Sequence, residues 1–228
     1  RIDILVTPLV TIGVGVGLSA WWAPALGKAA MKVGSVIMWA TDLQPFFMGI
    51  LVSVFVGIAL TLPISSAAIC AALGLTGLAG GAAVAGCCAQ MVGFAVMSFR
   101  ENKWGGLVSQ GIGTSMLQMG NIVRNPRIWI APIVTSAITG PIATCLFRLQ
   151  MNGTAVSSGM GTCGFVGQIG VYTGWMNDIA EGTKTAVTAM DWAGLFLISF
   201  ILPAVLCPLI NMFVRKLGWV KDGDMTLS

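Results

Sequence analysis

There is no histidine in this chain of 228 residues. That absence removes the commonest metal ligand, the usual general base and any phosphohistidine carrier role. Charge is nearly as scarce: 12 Lys and Arg with 8 Asp and Glu make up 9% of residues, against 56% hydrophobic. A soluble domain carries about 25% charged residues, because its surface must be hydrated. Here most of the outer surface must be covered by lipid, which excludes an independent water-soluble domain. CxxC pairs are missing too. Cys70, Cys87, Cys88, Cys145, Cys163 and Cys207 lie inside apolar stretches, as small apolar filler rather than a disulfide framework or zinc site. Also absent are an initiator Met and a charged–apolar–small signal ahead of Arg1, so the chain reads as a fragment lacking N-terminal helices. No catalytic residue, cofactor, metal or nucleic-acid partner is expected.

What the chain does have is long apolar runs, at 4–20, 44–62, 66–97, 128–147 and 190–214. A hydrocarbon core of roughly 30 Å takes about 20 helical residues to cross. A β-barrel would need alternating strands about ten residues long, and these runs are longer and continuous. The run at 66–97 is too long for one untilted span and rich in glycine, so a tilted or broken helix is expected there. Residues 24–41, with Lys28 and Lys32 on one side, suit an interfacial helix. Residues 105–122 and 153–172 are too polar to face lipid and too apolar for ordinary loops.

Suppose 4–20 runs outside to inside and each later run reverses direction. Lys28, Lys32, Arg100, Lys103, Arg124, Arg127, Arg215, Lys216 and Lys221 then fall on one side, and Arg1, Arg148 and Lys184 on the other. By the positive-inside rule the first side is cytoplasmic, with the N-terminus outside and the C-terminus inside. The scheme makes 105–122 and 153–172 re-entrant hairpins entering from opposite faces. Trp21, Trp22, Trp39, Trp104, Trp129, Trp192 and Trp219 sit at segment ends, where interfacial rings belong.

The two hairpins echo each other. Ser109-Gln-Gly-Ile-Gly-Thr-Ser115 matches Ser157-Ser-Gly-Met-Gly-Thr-Cys163, and Gln118-Met-Gly120 matches Gln168-Ile-Gly170 after an offset. Pro8-Leu-Val-Thr11 and Pro132-Ile-Val-Thr135 form a second echo. Inverted repeats with discontinuous helices at their interface are a recurring transporter architecture, and the broken segments usually hold the substrate. Glycines allow close approach, while Ser, Thr, Gln and freed amides supply hydrogen bonds suited to a neutral polyhydroxy solute. The candidate solute-binding residues are therefore Ser65, Ser66, Ser109, Gln110, Thr114, Gln118, Asn121, Ser157, Ser158, Thr162 and Gln168. Gly13-x-x-x-Gly17 and Gly77-x-x-x-Gly81, inside plain apolar runs, read as helix-packing motifs. Pro63 is expected to end one span at the outer surface, with Ser65 or Ser66 capping the next helix. Glu101 and Asn102 read either as a solvated, positive-inside turn or as a gating or partner contact. Asn152-Gly-Thr154 is a chance match to a glycosylation sequon.

Pro63-Ile-Ser-Ser-Ala-Ala-Ile69, Phe99-Arg-Glu-Asn-Lys-Trp-Gly-Gly106, Gln110-Gly-Ile-Gly-Thr-Ser115, Asn125-Pro-Arg-Ile-Trp129 and Gly159-Met-Gly-Thr-Cys-Gly-Phe-Val-Gly-Gln168 resemble the membrane (IIC) component of the bacterial phosphotransferase system, in its stand-alone permease-like branch. The resemblance covers about 60–206. It implies a sugar permease of the bacterial cytoplasmic (inner) membrane, a homodimer that hands substrate to a phosphorylated IIB protein. Better-known sugar-specific IIC proteins use a histidine and a glutamate around the sugar, and this chain lacks the histidine. With no IIA histidine and no IIB domain here, phosphoryl transfer comes from another polypeptide, or the branch does not phosphorylate its solute.

The expectation is thus an all-α integral membrane protein of about five transmembrane helices plus two re-entrant hairpins, with a suggested inverted repeat. It forms one transmembrane permease domain over residues 1–228. It would translocate a small polar solute, a sugar, by alternating access. The alternatives are a transporter of a non-sugar solute and a permease-like membrane sensor.

Overall fold

A computed structural model describes residues 3–227, without the side chains of 3–9, 11, 18–26 and 29. The described residues are helical apart from short connections, with one isolated antiparallel bridge between Gly77 and Met151. The all-α expectation holds.

Helix α1 (Asp3–Leu43) is continuous over 41 residues, about 60 Å at 1.5 Å per residue. The expected break between a span at 4–20 and an interfacial helix at 24–41 does not occur. Alanines at 20, 23, 25, 29 and 30, the strongest helix formers, offset part of the cost of Pro24 and Gly27 within it. Lys28 and Lys32 are exposed on this helix, as expected of 24–41. Arg1, Trp21, Trp22 and the Pro8–Thr11 echo lie outside the residues or side chains described.

Helix α2 (Pro45–Thr61) starts on a proline, where the missing N–H costs nothing, and stops two residues before Pro63. Helix α3 (Ser66–Leu73) is capped by Ser65, whose Oγ accepts from the Ala68 amide at 3.1 Å. The long run at 66–97 is broken, as its glycines suggest: α3 ends at Gly74 in the left-handed conformation and α4 (Gly77–Met97) begins at Gly77.

Helix α4 is the axis of the bundle, and almost every residue of it is buried. Its small side chains let neighbours approach to backbone contact. A Cβ on Gly86 would collide with the Ser53 carbonyl, and one on Gly81 with the Leu149 carbonyl. The packing reading of Gly77-x-x-x-Gly81 is thereby borne out at Gly81, whereas nothing lies within 4 Å of a Cβ at Gly13 or Gly17.

The chain then forms α5 (Phe99–Val108), a π turn (Ser109–Gly113), a 3-10 turn (Ser115–Gln118) and α6 (Met119–Arg124). A second long helical stretch, Pro126–Leu146, contains α7 (Ile130–Pro141). Next come α8 (Ala155–Ser158), a 3-10 turn (Cys163–Phe165) and α9 (Val166–Ala180). The last stretch, Ala189–Lys216, joins α10 (Ala189–Phe196) through a π turn to α11 (Leu202–Lys216). Among the described residues, three helical stretches are long and apolar enough to cross a membrane: α4, Pro126–Leu146 and Ala189–Lys216. Large apolar side chains such as Phe47, Phe55, Leu146 and Phe213 stand more than 60% exposed, a surface suited to lipid and not to water.

Cross-contacts fix the helix directions. Against α4, α7 runs antiparallel: Met151 pairs with Gly77, Ser136 with Gly86 and Trp129 with Gln90. Against α7, α2 also runs antiparallel, since Thr144 donates to the Pro45 carbonyl at 2.7 Å and Ser53 to the Ser136 carbonyl at 2.7 Å. Helices α2 and α4 are therefore parallel to each other. This corrects the alternating scheme. The α2–α3 pair descends from one end of the bundle to the depth of Gln90 and returns to the same end, so the Pro63 turn does not lie at the surface where α4 begins. Eight residues of α3 are too few to cross a bilayer, and run length alone hid this.

The two ends differ in charge. Arg100, Lys103, Arg124, Arg127, Arg215, Lys216 and Lys221 gather where α4 ends, the basic end. Arg148 and Lys184 share the opposite end with Asp178, Glu181 and Asp191.

Candidate functional site

Both polar segments fold as hairpins, and they enter from opposite ends. The first, 98–124, leaves and returns at the basic end, its return leg packing Ile122 with Phe94 and Met97 near the end of α4. The second, 152–180, leaves and returns at the other end, where Asn152 Nδ2 donates to both carboxylate oxygens of Asp178 at 2.9 and 3.0 Å. Their tips touch. The Thr162 hydroxyl donates to the Gly111 carbonyl at 2.6 Å, joining the two Gly-x-Gly-Thr segments directly. The tips hold unusual backbone. Gly161, Gly164 and Phe165 are all left-handed, a conformation that costs a bulky residue like Phe165 energy and persists only when packing enforces it. Gly161 is packed so tightly on Cys87 and Cys88 of α4 that no side chain would fit. A groove of about 240 Å³ beside the contact is lined by apolar residues including Val92, Ala95, Ile112, Phe165 and Phe200.

Apart from Thr162, at the tip contact, the candidate residues fall into three groups. Ser66 and Ser158 are buried clamps: Ser66 donates to the Gly159 carbonyl and Ser158 to the Leu75 carbonyl, both at 2.6 Å, tying the α3 region to the second hairpin. A second group forms a chain of amides. Asn121 Nδ2 donates to Gln118 Oε1 at 2.8 Å, Gln118 Nε2 to Gln110 Oε1 at 2.9 Å, and Gln110 Nε2 to Ser98 Oγ at 2.9 Å. The remainder stand apart. Ser65 caps α3, Thr114 accepts from the Met116 amide, Ser109 bonds within its own turn and Ser157 shares a hydrogen bond with Thr154. Gln168, on α9, donates to Ser199 Oγ at 2.9 Å and to Cys88 Sγ at 3.3 Å, while its Oε1 is buried with no partner among the described residues.

Glu101 and Asn102 do more than form a solvated turn. They hold the backbone of residues 223–227. The Glu101 carboxylate accepts from the amides of Gly223 and Met225 at 3.2 and 3.1 Å and pairs with Arg215 at 2.8 Å. Asn102 donates to the Met225 carbonyl and accepts from the Leu227 amide, both at 2.8 Å. Gln118 and Asn121 add bonds to the Met225 and Thr226 carbonyls at 3.0 Å. Asn125 binds the Trp219 carbonyl at 3.0 Å and the Asp224 carboxylate at 2.8 Å. The C-terminal segment is thus a strap laid across the open end of the first hairpin.

Sequence reading missed a polar centre built around the buried Gln90. Gln90 Oε1 accepts from Trp129 Nε1 at 2.8 Å and from the Thr61 hydroxyl at 3.2 Å, and Thr61 shares a 2.9 Å hydrogen bond with Ser115 of the first hairpin. The available signal was that Gln90 is the one side-chain amide in the apolar run 66–97, and an amide at that depth needs partners. Also missed was a polar cavity of about 830 Å³ at the non-basic end, where Arg148 and Lys184 meet the acids of α9 and α10. No cluster of three or more metal-ligating side chains occurs among the described residues.

Broken helices that meet at mid-depth, with polar cavities or clusters toward both ends, define a membrane permease rather than a soluble enzyme or a plain helical anchor. The sequence profile described as Phosphotransferase system, EIIC matches residues 1–227, and the chain belongs to that family. It is a membrane component of the phosphotransferase system, of the permease class. No curated protein and no solved structure matches it.

Proposed function

We propose that this chain carries a small polar solute, a sugar, across the bacterial cytoplasmic membrane by alternating access. The carrying observation is the Thr162–Gly111 contact: hairpins from opposite ends meet and separate a polar cavity on one side from a polar, strapped mouth on the other. Parting of the tips would connect the two. The unpartnered Oε1 of Gln168 supports the reading, because a buried acceptor without a donor carries a desolvation cost that a solute hydroxyl would remove. With seven basic residues gathered where α4 ends and Arg148 and Lys184 at the opposite end, the basic end is cytoplasmic by the positive-inside rule. The strap then covers the inner mouth, which gives Glu101 and Asn102 a gating role, and a phosphorylated IIB protein would meet the chain there. The homodimer implied by the family resemblance is part of the same proposal.

Uptake of labelled sugars by cells with and without the full-length gene tests this. Substrate-dependent uptake across part of a broad sugar panel is expected; none across the whole panel overturns the sugar reading. The apolar lining of the groove beside the tips favours a second reading, a solute with an apolar face. Uptake confined to such solutes would decide for it.

A further inference from the structure

We infer that the cavity at the non-basic end is a loading site for a neutral polyhydroxylated solute, with Arg148 and Glu181 as its recognition pair. The inference rests on the sugar-permease reading and deepens it. The cavity, about 830 Å³, falls within the size range of small-molecule sites. Most of its charges are already engaged: Lys184 pairs with Asp191 at 2.7 Å, and Asn152 holds both oxygens of Asp178. Lys184 also lies over the ring of the buried Trp175, 5.4 Å from its centroid, so this wall is rigid. Arg148 and Glu181 remain. Both are exposed to the cavity, and among the described residues neither forms an ion pair.

Two further features point to a ligand. Arg148 is held left-handed, at φ 46°. A non-glycine residue persists in that region at a cost and is concentrated at ligand clamps. The charges also select the chemistry. Three carboxylates against two cations disfavour an anion; Lys184 neutralises Asp191 and Asn152 occupies both oxygens of Asp178, which leaves one free guanidinium and one free carboxylate. One guanidinium that donates in a fork and one carboxylate that only accepts suit adjacent hydroxyls, each of which can accept from the first and donate to the second.

The test exploits the backbone. Glycine adopts φ 46° without strain, so Arg148→Gly removes the guanidinium while leaving or improving stability. In proteoliposomes of the full-length protein, the concentration for half-maximal uptake of whichever labelled hexose, hexitol or disaccharide the wild type carries is measured for R148G, Glu181→Gln and Arg148→Lys. Melting temperature is followed in parallel. Expected are a rise of tenfold or more for R148G and E181Q, partial recovery for R148K, and no fall in melting temperature for R148G. Wild-type uptake with unchanged half-saturation in both R148G and E181Q overturns the loading site and leaves the permease reading standing. Uptake of no sugar by the wild type overturns both. Uptake restricted to a zwitterion such as an amino acid, with the same dependence on Arg148 and Glu181, overturns the solute class.

Discussion

Replacing Asn102 with alanine should loosen the C-terminal strap by an amount that can be worked out. The substitution deletes the bond from Asn102 Nδ2 to the Met225 carbonyl and the bond from the Leu227 amide to Asn102 Oδ1, both 2.8 Å long. Each is worth about 1 kcal/mol net, so strap docking weakens by about 2 kcal/mol. At 1.4 kcal/mol per tenfold, the detached population rises about 30-fold. The strap keeps its bonds to Glu101, Gln118 and Asn121, so the hairpin itself should stay folded. Two assays read the change. Hydrogen exchange at the amides of Met225 and Leu227 should lose protection by about 30-fold. Trypsin cleavage after Lys221, which is exposed, should accelerate to a similar degree where opening and reclosing are fast relative to cleavage. Wild-type amides at 223–227 exchanging as fast as free peptide, or protection in N102A within twofold of wild type, would refute the strap.

Further substitutions follow from the same geometry. Glu101→Gln removes the charge that holds Arg215 and two strap amides; charge-assisted bonds are worth about 1.5–3 kcal/mol, so strap protection should fall at least as far as in N102A. Gly86→Ala drives a Cβ into the Ser53 carbonyl, a backbone atom that cannot give way, and should cost about 1–3 kcal/mol, read as a lowered melting temperature in detergent. Gly120→Ala, with nothing within 4 Å, is the control and should be neutral. Thr162→Val deletes the tip-to-tip hydrogen bond and should change the uptake rate, with Thr162→Ser close to wild type; equal rates in all three proteins would remove that contact from the mechanism.

Much of this molecule follows from local composition. Scarce charge and long apolar runs make it an α-helical membrane protein, because backbone and side chains in lipid have no water to bond to. The same logic marked 105–122 and 153–172 as hairpins, since segments too polar for lipid and too apolar for water must be enclosed by protein. Pro63, Ser65 and the glycines of 74–81 punctuate helices by rules that act within a few residues, so those boundaries were legible as well. Contacts between segments distant in the chain were not. Nothing near Thr61 says that α2 runs parallel to α4; that depends on Ser53, Gly57 and Thr61 meeting Gly86 and Gln90. Nor does the local sequence reveal that Gln118 and Asn121 bind the C-terminal strap, over a hundred residues away. The 830 Å³ cavity is of the same kind, because Arg148 and Glu181 are 33 positions apart and converge only when the second hairpin folds back. Membrane residence, helix breaks and hairpins are consequences of how each stretch is solvated, which a stretch carries by itself. Helix direction, the strap and the loading cavity are consequences of which surfaces pack together, which only the tertiary structure decides.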